Sequence, residues 1–177
     1  MMICESTTCA VPLRELDKQG RRPRFCSAKC KQREYRARKK APSLLPDSLT
    51  SRSSWTRRDG KRPIRTNGYA ASSTDPSTWA SFSDVQSGAG DGFGVMLGDG
   101  LGCFDFDHCL SGDTLTPRIE RALAAIREPV VWVERSMSGD GLHVFVEAPE
   151  QKGYKRDGIE FYSRARFIAV TGMAFTI

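Results

Sequence analysis

Cys103-Phe104-Asp105-Phe106-Asp107-His108 sets two acids in alternation with apolar residues. Successive side chains of a strand point to opposite faces, so Asp105 and Asp107 share one face and Phe104 and Phe106 the other. The apolar flank marks the end of a buried strand, where two neighbouring carboxylates are costly unless a cation lies between them. Oxygen-only ligation of that kind suits magnesium or manganese. Asp-x-Asp strands also occur in nucleases, in glycosyltransferases and in plain surface hairpins, so the flanking segments must decide among these readings.

Two later segments bear on that decision. Ser136-Met137-Ser138-Gly139-Asp140-Gly141-Leu142-His143 is a glycine-loosened turn that opens into an apolar run containing a histidine. Small residues there let backbone N–H groups approach a phosphate closely. Gly158-Ile159-Glu160-Phe161-Tyr162 carries a lone acid in an apolar frame. Glu134, Glu147 and Asp157 compete with Glu160 as a third carboxylate; Glu160 is preferred because Ile159 and Phe161 would face the opposite way and bury. Three acids, a histidine and a small-residue loop are what nucleotidyl transfer requires: metal ions neutralise a triphosphate, and the loop cradles it. The alternative for His143 is a satisfied core or edge histidine. His108 reads as a partner of Asp107 or as solvated. Arg164 and Arg166 are candidates for triphosphate or template contact, with ordinary solvated arginines as the alternative.

Around these motifs the pattern is α+β, a mixed or antiparallel sheet with helices on one face. Residues 93–97 and 101–107 read as strands joined by a hairpin-type turn at Gly98-Asp99-Gly100. Further strands are expected at 130–134, 142–147, 158–162 and 166–171, rich in valine. A helix is expected over 76–86, capped by Asp75 with Pro76 in its first turn and Trp79 and Phe82 packed into the core. A second helix begins at Thr116 and Pro117, with Ile119, Leu123 and Ile126 as its buried stripe.

The 177 residues suit one ordinary domain plus a small appendage. No apolar run nears the roughly 20 residues of a membrane helix, and the N-terminus shows no signal-peptide core, so a soluble cytoplasmic protein is expected. The net charge of +6 is unevenly placed: residues 1–65 hold 18 Lys+Arg against 6 Asp+Glu, the remainder 9 against 15. A basic front end finds phosphate backbone, or merely aids solubility; an acidic rear gathers cations. Of the six cysteines, Cys4, Cys9, Cys26 and Cys30 cluster at the front. Residues 4–30 are too short and polar to bury a core, and two pairs spaced C-x4-C and C-x3-C can supply four thiolates to one structural zinc ion. Ser27 is placed to cap a basic helix running from the second pair through Lys31, Arg33, Arg36 and Arg38. Three regions are therefore expected: 1–40 a zinc module with a basic helix, 41–54 a Pro/Ser-rich linker, and 55–177 the catalytic part.

In their order and spacing the Asp-x-Asp, Ser-Gly-x-Gly-x-His and single-acid segments resemble the archaeo-eukaryotic primase superfamily. More narrowly, they are similar to the bifunctional primase-polymerase domain of phages and plasmids. Arg166 to Gly172, RFIAVTG, resembles that family's last strand with its Thr-Gly end. Lys61-Arg62-Pro63 and Thr74-Asp75-Pro76-Ser77-Thr78-Trp79 resemble its upstream motifs, so the likeness covers roughly residues 55 to 172. The front end resembles small Phe-Cys-Ser zinc fingers, although its first pair departs from the commoner C-x2-C.

The resemblance implies a core like an RNA-recognition motif with an added αβ unit in front. It implies two Mg2+ or Mn2+ ions held by Asp105, Asp107 and Glu160. Ser138, Gly139, Gly141, His143 and Arg166 would then bind a nucleoside triphosphate, with His143 also in the catalytic set. A single-stranded DNA template would lie along Lys31, Arg33, Arg36, Arg38, Lys61 and Arg62, although the 57–62 stretch alone does not say whether it meets template or nucleotide. In this family a helical region commonly follows the Thr-Gly strand, and a replicative helicase is an implied partner. Two other classes fit the same residues: a zinc-finger nucleic-acid-binding protein without catalysis, and a metal-dependent nuclease. The triphosphate cradle argues against the nuclease, since hydrolysis does not need one.

Overall fold

A computed structural model of the chain describes residues 3, 4, 6, 9–13, 25–33, 45–112 and 114–177. The chain divides into two compact units, Met1–Pro42 and Ser43–Ile177. The second unit holds two antiparallel sheets. The first sheet, ordered β11-β3-β1-β2, is built from β1 (Trp55–Asp59), β2 (Arg62–Ile64), β3 (Gly92–Met96) and β11 (Phe167–Val170). The second, ordered β7-β8-β4-β10-β9, comprises β4 (Leu101–Phe106), β7 (Val130–Arg135), β8 (Leu142–Glu147), β9 (Tyr154–Arg156) and β10 (Ile159–Tyr162). A small hairpin of β5 (Leu110–Ser111) and β6 (Thr114–Leu115) precedes a helix, α2 (Pro117–Ala124); a one-turn helix, α1 (Asp47–Thr50), opens the unit. Every strand pair among the described residues is antiparallel, which settles the mixed-or-antiparallel alternative. None of the described helices is long and apolar enough to cross a membrane.

Strand alternation gives the five-stranded sheet two different faces. Phe104, Phe106, Leu142, Val144, Val146 and Phe161 point to one, where Ile119 and Leu123 of α2 cover them. Leu101, Cys103 and Phe145 point to the other, where they share a core with Trp55, Val95 and Ile168 of the four-stranded sheet. Asp105, His143, Glu134 and Glu160 lie on this second face by parity. The inter-sheet core therefore runs along β4 as Leu101, then Cys103, and gives way to charge at Asp105. Trp55, fully buried, donates from Nε1 to the Leu49 carbonyl at 3.2 Å, satisfying its one polar atom.

Three expectations are corrected here. The stretch read as a linker, 41–54, contributes Leu45 and Leu49 to the inter-sheet core, with Leu49 wholly buried. A fully buried leucine contributes about 1.5–3 kcal/mol, enough to hold a single helical turn in place. Phe93 and Leu101 do not belong to a hairpin. β3 pairs with β1 and β11, β4 with β8 and β10, and the chain crosses between sheets at Gly98, Asp99 and Gly100, all three at positive φ. The helix expected over 76–86 is replaced by two single 3-10 turns, Pro76–Thr78 and Asp84–Gln86. Between them Ala80 exchanges both backbone hydrogen bonds with Trp55, so strand pairing takes the residues a helix would need. Asp75 does cap the first turn, accepting from the Ser77 N–H at 3.0 Å. Phe82 packs on Trp55 and Phe93 as expected of a core residue.

Candidate active site

A row of polar side chains crosses the whole five-stranded sheet. In register it runs Glu134 (β7), His143 (β8), Asp105 (β4), Glu160 (β10) and Lys155 (β9). Directly paired residues point to one face, so these five form a continuous stripe on the face turned to the other sheet. Asp107 lies one residue past β4 and is exposed. A cleft of about 740 Å³ opens over the centre of the row. Asp105, Asp107 and His143 line it with Ser138 of the turn, Arg166 and Lys61. The residues the sequence singles out thus converge, with some exceptions.

The histidine is fixed from behind. His143 Nδ1 lies 3.2 Å from Glu134 Oε1, and its Nε2 lies 3.8 Å from Asp105 Oδ1. Glu134 is an acceptor only, so Nδ1 carries the hydrogen and Nε2 is turned toward the cleft. Glu134 is fully buried and receives the N–H groups of Thr171 at 3.0 Å and Gly172 at 2.9 Å, and Trp132 Nε1 at 3.1 Å. The Thr-Gly pair after β11 therefore serves as a donor nest for this carboxylate. Sequence reading considered Glu134 only as a rival metal ligand. Its parity with Trp132, two residues earlier on β7, was the available signal that it points inward.

Asp105 is held above the usual carboxylate range, chiefly by burial, opposed by His143 and reinforced by the nearby Asp107 and Glu160. That is the imbalance a cation would relieve. Glu160 stands beside Asp105 in register, but both its oxygens are engaged: Lys155 Nζ at 2.7 Å and the Tyr162 hydroxyl at 2.8 Å. Those two bonds hold Glu160 below the usual carboxylate range. Arg166, a candidate for triphosphate contact, lies over the Tyr162 ring with its guanidinium carbon 4.4 Å from the centroid.

The turn joining β7 to β8 closes on itself. Ser136 N donates to Gly141 O at 2.9 Å, and Gly139 N to Ser136 O at 3.0 Å. Gly139 adopts φ +87°, open to glycine, and a Cβ at Gly141 would lie 2.7 Å from Phe106 O. Glycine at 141 thus lets the turn press against the end of β4, beside Asp107. The Ser138 hydroxyl donates to Asp140, whose other oxygen meets His108 Nδ1 at 2.6 Å. His108 is thereby tied to the turn, and the pairing raises its pKa above the ordinary histidine value. Lys61 reaches the cleft from the β1–β2 hairpin, whereas Arg62 pairs at 3.5 Å with Asp59 on the surface.

Residues 12–173 match the family described as bifunctional DNA primase/polymerase, N-terminal. The chain belongs to this family. It is also 35% identical over 132 residues to the DNA primase-polymerase of Nitratiruptor phage NrS-1, an alignment covering 67% of this chain and 18% of that protein. The chain thus spans less than a fifth of the relative's length.

In the first unit of this primase/polymerase family member, the sulfurs of Cys4, Cys9, Cys26 and Cys30 lie within 4.8 Å of one another. Cys9–Cys26 is 3.6 Å and Cys26–Cys30 is 3.5 Å. Tetrahedral zinc with Zn–S of about 2.3 Å needs S–S edges of about 3.8 Å, so the cluster is compatible with that ion. The Cys26 N–H donates to Cys4 Sγ at 3.4 Å, the first reason that thiol is lowered to about 7. Ser27 caps the helix at 28–33, accepting from Cys30 N at 3.2 Å. Lys31 and Arg33 are exposed on it, and Arg33 also donates to Ser6 Oγ and Cys30 Sγ. Arg36 and Arg38 lie outside the described residues. The donor set of Asp105 and Asp107, all oxygen, likewise fits Mg2+ or Mn2+.

Proposed function

We propose that this chain is the catalytic part of a template-directed nucleotidyltransferase, a DNA primase/polymerase, acting in phage or plasmid DNA replication in the host cytoplasm. The observation that carries the reading is the convergence of Asp105, Asp107, His143 and Ser138 on one cleft at the end of the inter-sheet core. Its core corresponds to an RNA-recognition-motif-like sheet, with α2 on the face opposite the site.

Mg2+ or Mn2+ at Asp105, Asp107 and Glu160 would lower the pKa of the attacking 3′-hydroxyl and stabilise the pyrophosphate leaving group. The chain's own residues do the positioning. His143, its Nδ1–H committed to Glu134, would donate to the triphosphate from Nε2 as the doubly protonated imidazolium. Ser138 and the 138–141 turn supply small-residue backbone for close approach, with Arg166 and Lys61 contributing positive charge. Glu160 would join the metal-binding set if its contact with Lys155 gave way to a cation. The zinc module grips the template strand through its basic helix.

Incubating the protein with single-stranded template, labelled nucleotides and Mg2+ or Mn2+ separates the three readings. Extension supports the proposal. Cleavage of the template would indicate a nuclease, and retention of DNA without chemistry a binding protein.

A further inference from the structure

A second cavity of about 520 Å³ adjoins the first, and Ser73 and Ala165 line both. Nothing in the proposed chemistry uses it. Trp79 lines it and belongs to neither core cluster of its unit, unlike its neighbours Ala80 and Phe82. The indole is nevertheless locked: Nε1 donates to the Ser72 carbonyl at 2.7 Å. A half-buried tryptophan with its polar atom satisfied and its ring on a cavity wall offers a π-face to a ligand.

The positive charge is arranged to match. Ala165 sits at φ +50°, a left-handed conformation uncommon for a residue with a Cβ. It separates two arginines that serve different cavities, Arg164 lining the second and Arg166 the first. The guanidinium of Arg164 has no hydrogen-bond or ion-pair partner among the described residues. Arg52, also on this wall, is committed, donating from Nη1 to Asp99 O at 2.8 Å and from Nε to Ser48 O at 3.2 Å. Asp99 and Glu150 line the same cavity and repel phosphate.

We infer that this cavity is a subsite for one nucleotide of single-stranded DNA adjoining the incoming triphosphate, its base stacked on Trp79 and its phosphate at Arg164. The inference rests on the nucleotidyltransferase reading for its context. Stacking on an aromatic side chain tolerates any base, as a polymerase requires of the strand it copies or extends. At about 520 Å³ the second cavity lies within the roughly 300–1,000 Å³ of small-molecule sites, room for one nucleotide.

The test is photocrosslinking of the whole protein to single-stranded DNA carrying 5-iododeoxyuridine, with the crosslinked peptide mapped by mass spectrometry. One arm places the label in the template strand at the position next to the copied base. The other places it at the primer 3′ terminus. A crosslink at Trp79 in either arm is expected, and the arm that gives it identifies the strand. Crosslinks confined to other residues would overturn the subsite. In parallel, Arg164→Glu and Trp79→Ala should raise the template or primer concentration needed for half-maximal binding, Trp79→Ala by about 5- to 150-fold, while metal-dependent triphosphate binding stays unchanged. Unaltered DNA binding in both variants would also refute it. A protein that crosslinks at Trp79 yet never incorporates nucleotide would keep the subsite and lose the nucleotidyltransferase reading.

Discussion

Replacing Glu134 with alanine should unsettle the second unit out of proportion to one surface-to-site change. The carboxylate is completely buried and takes the N–H groups of Thr171, Gly172 and Trp132 Nε1 together with His143 Nδ1. Removing it strands four donors. Losing one member of a buried charged network costs about 3–5 kcal/mol, a large share of the 5–15 kcal/mol of a typical domain. At about 2–4 °C per kcal/mol for a domain of this size, the unfolding midpoint should fall by roughly 6–20 °C. Intrinsic fluorescence reads this cleanly, because all three tryptophans (Trp55, Trp79 and Trp132) lie in the second unit. The control is Glu160→Ala in the same row, a half-buried carboxylate paired with an exposed Lys155, which should lower the midpoint far less than Glu134→Ala. A midpoint for Glu134→Ala within about 2 °C of the wild type would refute the view that this carboxylate anchors the Thr-Gly nest and His143.

The other expectations concern the two metal sites and the DNA. Asp107→Ala should abolish nucleotide incorporation and leave the unfolding midpoint unchanged or slightly higher, since a repulsive neighbour of Asp105 is removed; continued polymerisation would contradict the assignment. His143→Ala should weaken triphosphate binding by about 1–3 kcal/mol with template binding kept, as titration calorimetry can measure. Purified protein should carry about one zinc per chain by elemental analysis, and Cys30→Ser should lose it with tryptophan fluorescence unaffected. Residues 1–40 hold 12 Lys+Arg against 4 Asp+Glu, so protein beginning at Ser43 should bind single-stranded DNA far more weakly and with a shallower salt dependence; equal affinity would reassign the basic front end.

Strand parity carried most of what the sequence made legible. The alternation around Asp105 and around Glu160 placed both acids on one face because a single property, apolar against polar, marks each position. The four strands expected after residue 129 appear within a residue or two for the same reason. The 76–86 segment was misread because its apolar spacing is compatible with a helix, while the deciding competitor, pairing of Ala80 with Trp55, is remote in sequence. Leu45 and Leu49 were hidden in a Pro/Ser-rich context whose composition says nothing of a core waiting to receive them. Within the site, Glu134 could not be recognised as the support of His143, since its donors at Thr171 and Gly172 arrive from a strand of the other sheet. Glu160 pairs with Asp105 in register, but its engagement by Lys155 depends on β9, a short strand with no alternation to reveal it.

The central claim is that the acids ending β4 bring metal and triphosphate together. Manganese bound per chain, counted by electron paramagnetic resonance with and without a non-hydrolysable nucleoside triphosphate, tests it most directly. The account predicts about two ions in the presence of the nucleotide, and loss of both, together with the nucleotide, when Asp105 and Asp107 are both changed to Asn. The same manganese count and nucleotide affinity in that double variant as in the wild type would contradict it.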